Sequence, residues 1–315
     1  MLPFFIQFVE QRIVIIDCGT NTFNLLLAKV NAATHEVTFL HEEKRAVKIG
    51  KGLTEKSEFT PEAMQRALEA LSAYAELVRE WNPDQVRVLA TAGFRLSNNA
   101  SVFIEQVYQE TGFCIEVISG EQEASLIYQG ARHAYAMNER PHLIMDIGGG
   151  STEFIHCSAA GMHQCWSFEA GASRLLEVLS PADPMITADI ERIRTYLTKM
   201  LEPLTGSLPG IIPVLLGTSG FFDTLEDMAV AGNYLPEQPG ALYRDISPEL
   251  FNHLYHLMLP LNVQQRAVFP GMIPFRAEMI MMAFELTRYI IDRYEVQQII
   301  TTPYSMKEGA LFSAL

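Results

Sequence analysis

Apolar residues in this chain fall into short runs that stop at glycines and hydroxyls. The sharpest is His142-Leu143-Ile144-Met145-Asp146-Ile147, followed by Gly148-Gly149-Gly150-Ser151-Thr152-Glu153-Phe154. Apolar runs bounded by turn signals read as buried strands, so this stretch predicts strand, tight turn, strand. The same order occurs near the start, where Ile13-Val14-Ile15-Ile16-Asp17 leads through Cys18-Gly19-Thr20-Asn21-Thr22 to Phe23-Asn24-Leu25-Leu26-Leu27. With Asp17 set on Asp146, Gly19 falls on Gly148, Thr22 on Ser151 and Asn24 on Glu153. An acid, a glycine and a hydroxyl in register predict a duplicated fold, with one hairpin per half and a ligand between them.

Elsewhere the period changes. Thr60-Pro61-Glu62 opens a helix with a capping hydroxyl, a proline at the first position and an early acid. Met64, Leu68, Leu71, Ala75 and Val78 carry it to about Trp81. Further helices are expected over 101–111, from Ala124 to about Tyr135, over 172–179 and 187–201, through most of 248–293, and over 305–315. Strands are expected over 37–40, 86–90, 115–118, 164–169 and 297–301, with another opening at Ile211 and ending in a Gly217-Thr218-Ser219-Gly220 turn that resembles the nucleotide-gripping turns of ATP-binding folds. That alternation is α/β. It divides the chain into residues 1–125, with the closing helix 304–315 returning to them, and residues 126–303.

Composition narrows the classes. A chain of 315 residues with 49% hydrophobic and 19% charged residues has material for two cores and no disordered bias. A net charge of −14 argues against nonspecific binding to nucleic acid or to an anionic membrane. It leaves room for a local basic groove, and Lys44-Arg45-Ala46-Val47-Lys48-Ile49-Gly50-Lys51-Gly52 either faces a phosphate chain or forms a solvated hairpin. Four cysteines without paired spacing fit a reducing cytoplasm. The apolar opening, residues 1–9, lacks the basic start and cleavage site of a secretory leader, and the run 279–291 is broken by Glu285 and Arg288. A cytoplasmic protein outside the membrane is expected.

The chemistry collects at strand ends. Three glycines followed by Ser151 and Thr152 expose main-chain N–H groups that can cradle phosphate, and Asp146 is placed for a metal ion or its water. Thr91-Ala92-Gly93-Phe94-Arg95 offers a hydroxyl and a guanidinium after another strand. Glu121 and Glu123 open a helix where acids suit the dipole, and one of them is positioned to overhang the ligand. His253 and His256 lie three apart without an acidic partner and read as surface or packing residues.

Taken in order, Asp17–Thr22, Ala90–Arg95, Ser119–Ala124, Asp146–Glu153, the Pro270–Glu278 segment and Lys307-Glu308-Gly309 resemble the exopolyphosphatase / guanosine pentaphosphate phosphatase family in its short two-domain form. The resemblance implies the actin-like ATPase superfold, two ribonuclease-H-like domains with a cleft between them. It implies magnesium-assisted hydrolysis, with manganese an alternative, of polyphosphate or guanosine pentaphosphate. Carried onto this chain, it makes Glu123 the general base, Asp146 and Glu153 acids at metal and water, and Arg95 a phosphate clamp. Gly148, Gly149, Gly150 and Ser151 cradle phosphate; Asp17, as a further metal ligand, stands opposite with Gly19, Thr20, Asn21 and Thr22; Arg276 reaches in from the second domain. A homodimer is compatible with it. Departures are Asn24 where many members are basic, Lys307 for a common arginine, and Gly93-Phe94 before Arg95. A kinase or ATPase of the same superfold, and a nonenzymatic regulator binding alarmone or polyphosphate, are the rival readings.

Overall fold

The computed structural model describes residues 10–314. The apolar opening weighed as a leader lies outside them. The chain divides into two units: one holds the residues up to Ser119 together with those from Ala310, and the other is Gly120–Gly309. The border expected after residue 125 instead falls where the helix Gly120–Ala134 begins, so that helix stays whole in the second unit. The closing helix Met306–Phe312 is shared, with Ala310 onward in the first unit.

The first unit contains β1 (Glu10–Cys18), β2 (Thr22–Asn31), β3 (Val37–Ala46), β4 (Gln85–Ala90) and β5 (Ile115–Val117) in the order β3-β2-β1-β4-β5. β1 and β2, and β2 and β3, are antiparallel, whereas β1, β4 and β5 run parallel. The unbroken apolar run in β1 suits a central strand covered on both faces, and Ile13 to Ile16 are at most 1% exposed. The helix Pro61–Trp81 starts as its sequence predicts, with the Thr60 hydroxyl accepting from the Ala63 amide at 3.2 Å. It lays Leu68, Leu71, Tyr74 and Ala75 into the core with Val14, Ile16 and Phe23. Tyr74 donates to the Phe23 carbonyl at 2.9 Å, tying that helix to the strand that leaves the first hairpin.

The second unit contains β6 (His142–Ile147), β7 (Thr152–Ser158), β8 (Gly161–Phe168), β9 (Val214–Thr218), β10 (Arg244–Ile246) and β11 (Gln298–Thr301), in the order β10-β11-β9-β6-β7-β8. From β8 to β11 this repeats the first sheet strand for strand, including its directions, with β10 added at the edge. Three antiparallel strands continued by two parallel ones form the ribonuclease-H-like arrangement, and two in one chain form the actin-like ATPase superfold. Leu143, Met145, Phe154, Leu215, Phe222 and Phe284 anchor the core of this unit.

The structure differs from the sequence reading in places. β9 begins at Val214 and not at Ile211, because Pro213 has no N–H to give a ladder. The turn 91–95 closes into a one-turn helix, Ala92–Leu96. The helix Ser219–Ala231 was not anticipated, although Phe221, Phe222, Leu225 and Met228 show its buried face. No helix of the described residues is long and apolar enough to cross a membrane. Glu285, which interrupts the apolar run 279–291, is fully buried and takes a hydrogen bond from the Tyr255 hydroxyl. Cys18 and Cys157 are buried, Cys165 is half-buried, Cys114 is exposed, and all are free thiols.

Candidate active site

The second unit's hairpin sets Asp146 on β6 directly opposite Glu153 on β7. The turn closes through the Gly148 amide, which donates to the Ser151 carbonyl at 3.0 Å. The carbonyls of Gly148, Gly149 and Gly150 accept from the amides of residues 171–174 at 2.9–3.2 Å, at the start of the helix Ala172–Leu179. In a trans peptide the N–H points opposite to the preceding carbonyl. The N–H groups of Gly149, Gly150 and Ser151 therefore face away from that helix, as an anion cradle requires. Gly171 permits this backing: a β-carbon there would lie 2.3–2.5 Å from the backbone of Gly149 and Gly150.

Three acids surround the turn. Asp146 is 5% exposed, and its Oδ2 accepts from the hydroxyls of Thr218 at 2.7 Å, Ser219 at 2.8 Å and Ser305 at 2.5 Å. Burial raises its carboxyl above the usual carboxylate range, and the three hydroxyls pull it back. Glu153 is completely buried; its Oε1 accepts from Ser167 at 2.7 Å, and among the described residues its Oε2 has no hydrogen-bond partner. Burial pushes Glu153 well above the ordinary value, and the charges of Glu123 and Asp146 push the same way. Glu123 is 8% exposed on the first turn of the helix Gly120–Ala134, whereas Glu121 on that turn is exposed. Burial thus separates two acids that the helix-start pattern alone left equivalent. Gly120 lets this helix start against the strand β8, since a β-carbon there would lie 2.4 Å from the Ser167 side chain. Among the described residues no group of three or more histidine, cysteine, aspartate or glutamate residues is arranged to hold a metal ion by itself.

The first unit repeats the hairpin with other chemistry. Asp17 lies opposite Asn24, whose Nδ2 donates to Asp17 Oδ2 at 2.8 Å. Gly19 donates to the Thr22 carbonyl at 3.0 Å, matching Gly148 and Ser151. The Asn21 carbonyl accepts from Val47 at 2.9 Å and Lys48 at 2.8 Å, and the Thr20 carbonyl from Gly50 at 3.1 Å. The amides of Asn21 and Thr22 therefore point the other way. The basic stretch is thus partly spoken for: residues 47–50 brace the turn, Arg45 bonds Glu43 at 2.6 Å, and Arg66 holds the carbonyls of Val47 and Lys48. Gly93 packs on Thr20, which brings the helix Ala92–Leu96 to the turn. Arg95, half-buried on that helix, donates to the Ile118 carbonyl at 2.9 Å.

Two expectations change on this geometry. Arg276 is 6% exposed and lies under the first turn of the helix Ser219–Ala231, donating to the Gly220 carbonyl and Thr224 Oγ1. A β-carbon on Gly220 would lie 2.6 Å from the guanidinium. It supports the turn that carries Ser219, a residue held at φ +70°. Thr218 and Ser219, which suggested a nucleotide-gripping turn, point their hydroxyls at Asp146 instead. Sequence reasoning also missed Ser167, Gly171 and Ser305. The only signal for Ser305 was the Lys307-Glu308-Gly309 segment that follows it. His253, bonded to the Tyr234 hydroxyl at 3.0 Å, and His256 are exposed.

The model of the Ppx/GppA phosphatase family matches residues 27–315. Among curated proteins, Exopolyphosphatase 2 of Mycobacterium tuberculosis is 30% identical, over 96% of this chain and 98% of its own length. Among solved structures, an exopolyphosphatase from Cytophaga hutchinsonii superimposes with a TM-score of 0.91 at 33% identity, covering 96% of this chain and 97% of that one. The Aquifex aeolicus member of the Ppx/GppA family shares the fold, with a TM-score of 0.80 at 22% identity over 97% of this chain and 98% of its own.

Proposed function

The chain belongs to the Ppx/GppA phosphatase family, and on that premise we propose that it releases terminal orthophosphate from inorganic polyphosphate, guanosine pentaphosphate, or both. The observation that carries this reading is the pair of facing, buried acids Asp146 and Glu153, beside Glu123 and next to a turn whose amides point away from the helix that braces it and suit phosphate. Names of relatives point the same way, since the mycobacterial and Cytophaga proteins are called exopolyphosphatases.

The residues fit a divalent cation that shares its coordination with phosphate. Magnesium commonly takes one or two carboxylates and completes its shell with water and substrate oxygens. The unpartnered, buried Glu153 Oε2 is the kind of atom such an ion satisfies, and Asp146 stands opposite it. Asp146 and Glu153 would hold magnesium or manganese, which supplies positive charge to the phosphoryl oxygens when bound. Asp17 already has the Asn24 amide on one oxygen and is assigned to shaping the first hairpin.

The chain's own groups divide the remaining work. The N–H groups of Gly149, Gly150 and Ser151 bind oxygens of the terminal phosphate. Water attacks its phosphorus as the bridging P–O bond breaks, and the bonding pair leaves on the shortened chain. Glu123 takes the proton from that water as general base. In the first unit, Arg95 offers a planar guanidinium fork, and the Asn21 and Thr22 amides offer main-chain donors, of the kind that suit phosphate oxygens.

The test is phosphate release with magnesium from long-chain polyphosphate, guanosine pentaphosphate and ATP in parallel, with Glu123→Gln as control. Release from either of the first two, lowered about 10²- to 10⁴-fold in the variant, is expected. Turnover confined to ATP, or a wild-type rate in the variant, overturns the reading.

A further inference from the structure

Ser305 is held on every side of its backbone and side chain. Its amide donates to Glu308 Oε2 at 2.8 Å, the reciprocal half of a capping interaction at the start of the helix Met306–Phe312. Glu308 is 1% exposed and is paired with the Lys307 ammonium. The Ser305 carbonyl accepts from the Gly309 amide at 3.0 Å and lies under Gly130, where a β-carbon would come within 2.2 Å of it. One turn on, a β-carbon at Gly309 would lie 1.7 Å from the Leu126 carbonyl. The closing helix therefore meets the helix Gly120–Ala134 backbone to backbone, with no side chain to take up play. That second helix carries Glu123.

The Ser305 hydroxyl in turn donates to Asp146 Oδ2, 159 residues earlier in the chain. With Thr218 and Ser219 it brings a third donor to one carboxylate oxygen. An oxygen with three donors has no lone pair to spare, so Asp146 has only Oδ1 to offer a cation or water. Ser305 thus joins two elements of the reaction, the helix of Glu123 through its backbone and Asp146 through its hydroxyl.

The geometry points to Ser305 as a positioning residue that fixes the orientation of Asp146 relative to the Glu123 helix. This rests on the hydrolase reading above for the identity of the reaction, though not for the geometry. Supporting partners of a metal-binding carboxylate typically change affinity or activity 10- to 100-fold when removed. Ser305→Ala is therefore expected to lower kcat for phosphate release by about 10- to 100-fold with KM for the phosphate substrate within about twofold. Ser305→Thr, which restores the hydroxyl at the same place, is expected to recover most of that loss.

A second readout needs no substrate. Mn2+ binding to the free protein, followed by electron paramagnetic resonance, is expected to weaken about 10-fold or more in Ser305→Ala and to recover in Ser305→Thr. Wild-type kcat and wild-type Mn2+ affinity in Ser305→Ala overturn the proposal, as does a threonine variant no better than alanine. If the wild-type protein hydrolyses neither polyphosphate nor guanosine pentaphosphate, the reading of the reaction fails, and the Mn2+ measurement alone decides for Ser305. A wild-type protein that neither turns over nor binds Mn2+ overturns the proposal as well, because Asp146 then has nothing to be positioned for.

Discussion

The two hairpins share a backbone and differ in how their charge is balanced. Each has an acid at the end of its first strand, a glycine closing the turn at 3.0 Å, and carbonyls held from behind by a later segment. In the first, the residue opposite the acid is Asn24, which gives Asp17 a hydrogen bond and adds no second charge. In the second it is Glu153, which sets a further buried carboxylate against Asp146 and keeps one oxygen unpartnered. The backbone was duplicated and the chemistry was not. One hairpin can take an anion on its amides, whereas the other can also take a cation on its acids. Their backing differs too: in the second, Gly171 presses on backbone, and in the first, Gly50 presses on the Thr20 methyl, 2.2 Å from where its β-carbon would lie.

That last difference gives the largest expected effect. Gly171→Ala pushes on atoms that cannot rotate away, so the cradle must move. Phosphate release is expected to fall about 100-fold, with a loss of stability of about 1–3 kcal/mol. Gly50→Ala meets a buried, β-branched side chain in place of backbone, and its cost is expected at the low end of that range, about 1 kcal/mol. Denaturant melts and phosphate assays on the pair decide it; equal damage would show the hairpins to be braced alike.

Next is Glu153→Gln, expected to lower turnover about 100-fold. It also carries a pH signature, best read in EDTA. Because the folded-state value of Glu153 is raised by burial and by Glu123 and Asp146, its stabilising contribution is complete below the unfolded value of about 4.3 and is lost as pH rises through the folded one. The glutamine variant should gain on the wild type in melting temperature as pH rises from about 5 to 8. A constant difference across that range would mean Glu153 is not held up.

The smallest effect on turnover is expected from Asn24→Asp, which copies the second hairpin's balance into the first and acts chiefly on stability. It removes a hydrogen bond to a charged group, worth about 1.5–3 kcal/mol, and sets two carboxylates face to face. The melting temperature should drop at neutral pH and recover partly with magnesium. No recovery would mean that facing acids alone do not make a cation site here.

Both hairpins were legible in the sequence because their chemistry is local: acid, glycine, hydroxyl and facing residue fit within a few positions, and strand pairing preserves that spacing. The helix at Pro61 was legible for the same reason. The partners of Asp146 were not, since Thr218, Ser219 and Ser305 lie 72, 73 and 159 residues away and only the sheet order brings them in. Gly171 stands one residue before an expected helix, and nothing in the sequence marks its contact with Gly149. Arg276 misled for the opposite reason: a charged residue in a notable motif suggests a ligand, yet burial under a helix turn gives it a structural task.

The cysteines bear on how this molecule meets oxidants. Cys18 adjoins Asp17 in sequence, but burial, reinforced by the aspartate's charge, raises its thiol well above the usual range, and burial alone carries Cys157 up to about 12. Thiols that do not ionise are poor targets for peroxide and alkylating reagents. Exposed Cys114, just before β5, is the one such reagents should meet first. A spin label or fluorophore added to the unmodified sequence should therefore settle at the edge of the first sheet, leaving the thiol next to Asp17 in its native state.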